Sequence, residues 1–214
     1  MKRIGMIVLI CCSVAVSHAQ VTGKAEHLLN EVSQKVKGYE NIQIDFSFTR
    51  ENPQENIKHE TRGDVSLEGE KYLLNILGTT RLFDGNKLYT IIPEDEEIVI
   101  STYDPKKDDN ITPSKMLSFY NEGYTYKWDI IQNIKGRKIQ YIKLIPKNPD
   151  AEIKNILLGI DPQTKHIYNL IQTEEDGTKT TITITSFKTD QPIPEALFVF
   201  DEERYPGFYI NRLN

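Results

Sequence analysis

Asn41-Ile42-Gln43-Ile44-Asp45-Phe46-Ser47-Phe48-Thr49-Arg50 is the stretch that decides the fold. Ile42, Ile44, Phe46 and Phe48 alternate strictly with Gln43, Asp45, Ser47 and Thr49. A side-chain period of two describes a strand with one apolar face and one wet face. Such a strand needs neighbours, and the sequence supplies them downstream. Strand-like runs follow at about 57–67, 71–77, 80–84, 87–92 and 97–103, separated by Glu68-Gly69-Glu70, Asp84-Gly85-Asn86 and Pro93-Glu94-Asp95-Glu96. More follow at about 124–132, 137–146, 152–160, 166–174 and 178–188, with turns at Lys135-Gly136, Asp161-Pro162-Gln163 and Asp176-Gly177. Connections this short join antiparallel neighbours. Ten or eleven strands in one series imply a mainly β (α+β) chain built on a single strongly curved antiparallel sheet.

Two segments break the series. Upstream, Ala25, Leu28, Leu29, Val32 and Val36 share one face at helical spacing between Thr22, a plausible N-cap, and Gly38, a plausible stop. In the middle, Thr112-Pro113-Ser114 and the cluster Met116, Leu117, Phe119 and Tyr120 read as a brief helix. No repeat, low-complexity tract or linker divides the chain, so residues 20–214 are expected to form one domain.

The N-terminus predicts export. Lys2 and Arg3 precede an apolar run from Ile7 to Val16 that ends in Ser17-His18-Ala19. This is the pattern of a signal peptide, residues 1–19, cut after Ala19. The run is too short for a span of about 20 residues. Ile10 before Cys11 argues against lipid attachment, and cleavage removes Cys11 and Cys12 together. The cut also removes two positive charges and no acid, taking the formal charge from -5 to -7. That balance disfavours nucleic acid and anionic membrane surfaces as partners.

Catalytic signatures are missing from the pattern. Beyond residue 19 the histidines are His27, His59 and His166, and no Gly-x-Ser-x-Gly accompanies them. His166 bonded to a buried Asp or Ser would revive a hydrolase reading. His59-Glu60 lacks the second histidine of a zinc-protease helix. Asp104-Pro105-Lys106-Lys107-Asp108-Asp109-Asn110 lacks the carboxylate spacing of an EF-hand. The acids at Glu94–Glu97 and Glu174–Asp176 crowd into turns. No Gly-rich phosphate loop follows a strand, and no catalytic residue, metal or cofactor is expected.

Several motifs, in order, resemble the LolA family of periplasmic lipoprotein carriers, across roughly Glu26 to Gly207. Asp45-Phe46-Ser47-Phe48-Thr49-Arg50 is similar to the family's first strand, and Gly63-Asp64-Val65 to its Gly-Asp-Leu-like strand. Phe83-Asp84-Gly85-Asn86-Lys87-Leu88-Tyr89 looks like its Asp-Gly-x-x-Leu-Trp/Tyr hairpin, the most specific of these. Thr112-Pro113-Ser114-Lys115-Met116-Leu117 resembles its Thr-Pro-led lid helix. Phe198-Val199-Phe200 with Pro206-Gly207 resembles its C-terminal segment. The resemblance implies an unclosed β-barrel whose concave face is covered by an N-terminal helix and a short lid helix. It further implies a monomeric carrier that takes acylated lipoproteins from an inner-membrane release complex and passes them to an outer-membrane acceptor. One departure stands out: Glu68-Gly69-Glu70-Lys71 replaces the family's Lys-Arg-Pro, whose Arg latches the lid. Arg62 and Arg81 are the alternatives, unless the cavity is more open.

Tyr72–Leu77, Tyr89–Ile92 and Ile139–Ile145 are apolar on both faces, so something must cover the second face: the helix, or a hollow that holds ligand. The residues expected to line that hollow are Phe46, Phe48, Leu74, Ile76, Tyr89 and Ile91 on the sheet, with Met116, Leu117, Phe119 and Tyr120 on the lid. A periplasmic lipid- or lipoprotein-sensing domain is the second reading; it predicts a further domain or an anchor. Asp201–Tyr209 is left open between a docking tail, an added edge strand and a packed coil.

Overall fold

The computed structural model describes residues 13–102 and 112–213, with side chains from residue 23 onward. Lys2, Arg3, Cys11, Cys12 and Asp104–Asn110 lie outside the described residues. Helix α1 (Ser13–Lys37) leads into a meander of β1 (Asn41–Asn52), β2 (Ile57–Glu68), β3 (Lys71–Ile76), β4 (Thr79–Phe83), β5 (Lys87–Ile92) and β6 (Glu97–Thr102). After helix α2 (Pro113–Met116) and a 3-10 turn at Phe119–Asn121, a second meander runs through β7 (Tyr124–Ile134), β8 (Arg137–Pro146), β9 (Ile153–Asp161), β10 (His166–Glu174) and β11 (Lys179–Thr189). Two further 3-10 turns, Glu195–Phe198 and Glu202–Arg204, precede β12 (Tyr209–Leu213).

All twelve strands form one sheet in the order β12-β6-β5-β4-β3-β2-β1-β11-β10-β9-β8-β7. The meanders join where β1 pairs with β11, from Ile42 opposite Thr189 to Glu51 opposite Lys179. Edge strands β12 and β7 do not pair with each other, so the barrel stays unclosed. The expected series of antiparallel strands is present and gains one member. β12 lies parallel to β6, Tyr209 against Glu97 and Leu213 against Ser101; of the segment Asp201–Tyr209 only Tyr209 enters this edge strand, and the residues before it form a 3-10 turn and a packed coil. Turn chemistry sets the hairpins: Lys135 and Gly136, at φ 50° and 82°, close β7 onto β8 in a two-residue turn.

The apolar stripe of α1 lands as its spacing predicts. Ala25, Leu28, Leu29 and Val32 are buried with Ile142, Leu144, Ile156, Leu158 and Ile160 from β8 and β9. Thr22 is not the helix cap, because α1 runs unbroken from Ser13 through it; the preceding Ala- and Val-containing residues continue the helix. Thr112 does cap α2, accepting from the Lys115 backbone N–H at 3.3 Å, with Pro113 at the first helical position.

A second tie joins the end of α1 to the sheet. Tyr39 Oη lies 2.8 Å from His166 Nε2, and Phe187 stacks on the imidazole at 4.3 Å between ring centres. Burial, followed by the charge of Lys35, lowers the His166 pKa, with Asp161 opposing. The unfolded chain therefore takes up a proton that the folded chain resists, and stability falls as pH drops below about 6.5. The expected result is a denaturant midpoint that declines from about pH 6.5 to about pH 5 in the parent and less steeply in His166→Gln. Equal slopes would show that the imidazole contributes nothing to the pH dependence.

Candidate functional site

The alternation in β1 places Ile44, Phe46 and Phe48 on the concave face of the sheet. Register then builds rows from them. Phe48 stands opposite Ile182, and Phe46 opposite Ile184 and Gly63, whose next neighbour is Ile76. Ile44 stands opposite Val65, which stands opposite Leu74. The curvature gathers these rows round a hollow of about 270 Å³, completed by Leu67, by Leu158 from β9, and by Ile167 and Leu170 from β10. Pro113, Met116 and Leu117 close it from above. Helix α2 lies against β2 and β3.

Gly63 lies against the wall residue Phe46. A Cβ there would fall 2.5 Å from Phe46 Cζ, so the phenyl ring lies on the glycine backbone in space that any side chain would fill.

Six of the expected lining residues meet here: Phe46, Phe48, Leu74, Ile76, Met116 and Leu117. Four do not, and the structure places them elsewhere. Tyr89 and Ile91 have the opposite parity from Leu88 and pack on the convex face with Leu82, Ile98 and Ile100. The C-terminal segment covers them: Phe200 stacks on Tyr89 at 4.4 Å, and Tyr205, Phe208 and Ile210 complete the cluster. The second apolar face of β5 is therefore covered by chain, in addition to the helix and the hollow that the sequence suggests as covers. Burial and the Asp84 carboxylate, to which Tyr89 Oη donates at 2.9 Å, push the Tyr89 phenol up to about 12. Phe119 and Tyr120 turn away from the hollow into the core beneath α1, because the chain bends into a 3-10 turn after Leu117. Tyr120 is fully buried, and Phe119 meets Tyr120 and Tyr124 edge to face.

Ile182 and Ile184 carry a sequence signal as wall residues that the reading of β1 alone misses. They alternate with Thr181, Thr183 and Thr185, the same pattern that singles out β1. Leu158, Ile167 and Leu170 carry no such mark, since Leu157, Tyr168 and Ile171 beside them break a strict apolar/polar alternation.

Of the two arginines considered for the lid, Arg62 pairs with Ser47 and so points to the convex side. Arg81 pairs with Leu74 on the concave side. Next to the hollow, and sharing Leu67 and Leu117 with it, lies a cavity of about 250 Å³ of mixed lining, where Val36, Tyr39 and Ile42 meet Ser33, Lys37 and Glu70. The His166 ring meets Tyr39 rather than a buried Asp or Ser. Among the described residues, no group of three or more His, Cys, Asp or Glu could hold a metal ion, and no helix is long and apolar enough to cross a membrane.

The family model for outer membrane lipoprotein carrier protein LolA matches residues 78–201, more than half of the chain. The chain belongs to the LolA family. The family's description names a lipoprotein carrier, a binding role, and the single unclosed sheet described above matches its fold. No curated protein matches the chain. Among solved structures, an uncharacterized conserved protein from Thermus thermophilus is similar at a TM-score of 0.58 and 10% identity, over 89% of this chain and 99% of that one. LprF from Mycobacterium bovis is similar at a TM-score of 0.50 and 14% identity, over 81% of this chain and 97% of that one. At such identities the likeness is one of fold.

Proposed function

We propose that this LolA-family chain is exported by cleavage after Ala19 and works in the periplasm. There it carries lipoproteins by their acyl chains from an inner-membrane release complex to an outer-membrane acceptor. The observation that carries this reading is the apolar hollow under α2. Each acyl methylene left in water costs about 0.8 kcal/mol, so an acylated protein does not cross an aqueous space uncovered. Side chains from β1, β2, β3, β10 and β11 offset that cost, and the short α2 lid is small enough to open for entry and release. Release follows when the acceptor binds the same chains more tightly.

The test incubates Gln20–Asn214 with inner-membrane vesicles that bear a labelled triacylated lipoprotein and its release machinery. The expected result is labelled cargo leaving as a soluble one-to-one complex. Folded, lipid-free protein that leaves all cargo in the vesicles would overturn the transport reading.

A further inference from the structure

Arg81 is the one charged side chain that β4 turns toward the concave face, between Leu74 on β3 and Thr90 on β5. Leu74 lines the hollow, and directly opposed residues hold their Cβ atoms about 5 Å apart. Arg81 thus stands one strand beyond Leu74, next to the hollow's wall and outside its own lining. Its Nε is buried and has no hydrogen-bond partner among the described residues. A buried donor left unpaired is costly, and a guanidinium offers donors only, so the group that satisfies it must present acceptor oxygens. An oxyanion meets that need best, because charge-assisted pairs to Arg are short and bidentate.

We propose that Arg81 binds the anionic head of an acyl-chain ligand, a carboxylate or a phosphate, while the tail occupies the hollow. This rests on the reading of the hollow as an acyl site and adds a preference that a purely apolar cavity would lack. Tail burial is the same for any head group, so the head alone decides between ligands of equal tail length.

The experiment measures equilibrium binding of laurate, dodecyl phosphate and neutral 1-monolaurin to delipidated Gln20–Asn214, Arg81→Gln and Arg81→Lys, each checked for folding by circular dichroism. The parent is expected to bind one or both anions about tenfold or more tighter than monolaurin. Arg81→Gln loses that advantage while holding monolaurin within about twofold, and Arg81→Lys keeps part of it. Preference for laurate assigns a fatty acid as the source of the head, and preference for dodecyl phosphate a phospholipid. Monolaurin bound as tightly as both anions by the parent, or an anion advantage that survives in Arg81→Gln, overturns the role of Arg81 and leaves the acyl site standing. Failure of all three ligands to bind overturns both.

Discussion

Met116→Asp combined with Leu117→Asp lowers acyl-chain affinity by about 100-fold or more, because an ionised carboxylate set against an apolar cavity costs several kcal/mol unless paired. Both residues border the hollow, and neither is buried. Met116 belongs to none of the described core clusters and Leu117 packs only at the margin of one, so the thermal midpoint is expected to fall by no more than about 6 °C. Phe119→Asp separates the two roles of this segment. Its ring packs in the core beneath α1, so the change lowers stability rather than affinity in the fraction that remains folded. Titration of the delipidated protein with a fluorescent acyl probe, paired with thermal melts, checks both statements. Unchanged affinity in the double variant would remove α2 from the site.

Leu144→Ala produces the largest expected loss of stability. Leu144 is fully buried on β8, between Tyr126 on β7 and Ile156 on β9 and beneath the apolar stripe of α1. Truncating such a side chain removes its transfer free energy and leaves a cavity, about 2–5 kcal/mol in all. For a domain of this size the fall in Tm is roughly 4–20 °C. Denaturant unfolding that shows a shift below about 0.5 kcal/mol would mean that α1 does not lie where the packing places it.

The contrast between these substitutions also explains what is legible in the sequence. β1 is clear because one of its faces meets apolar side chains and the other meets water, which prints the period of two directly. The Thr-Ile alternation of β11 prints the same signal. Tyr89 and Ile91 mislead because β5 is apolar on both faces, and parity along one strand does not say which face is concave. Only register across β3, β4 and β5 decides it, and that depends on the turns between them. Phe119 and Tyr120 mislead for a related reason. The apolar cluster after Pro113 looks like one helical face, yet the helix stops at Met116, and the following 3-10 turn swings both rings toward α1. β12 stays ambiguous in the sequence because its pairing with β6 is parallel and distant along the chain, with no hairpin to announce it.

The site shows the same division. Residues on alternating strands are readable one at a time, whereas Leu158, Ile167 and Leu170 line the hollow only because the sheet curls to bring β9 and β10 opposite β2 and β3. Arg81 is visible in the sequence as a candidate lid latch; its place beside Leu74 on the concave face comes from register.

The most direct test of the central claim is photo-crosslinking with a diazirine-bearing acyl chain on a lipoprotein or a simple amphiphile, followed by mapping of the labelled peptides. Label on β1 from Ile44 to Phe48, on β3 from Leu74 to Ile76, on Met116 and Leu117, and on Ile182 and Ile184 is the predicted result. Label concentrated on Tyr89, Ile91 and the segment from Phe198 to Ile210, or none on a folded protein, would contradict the account.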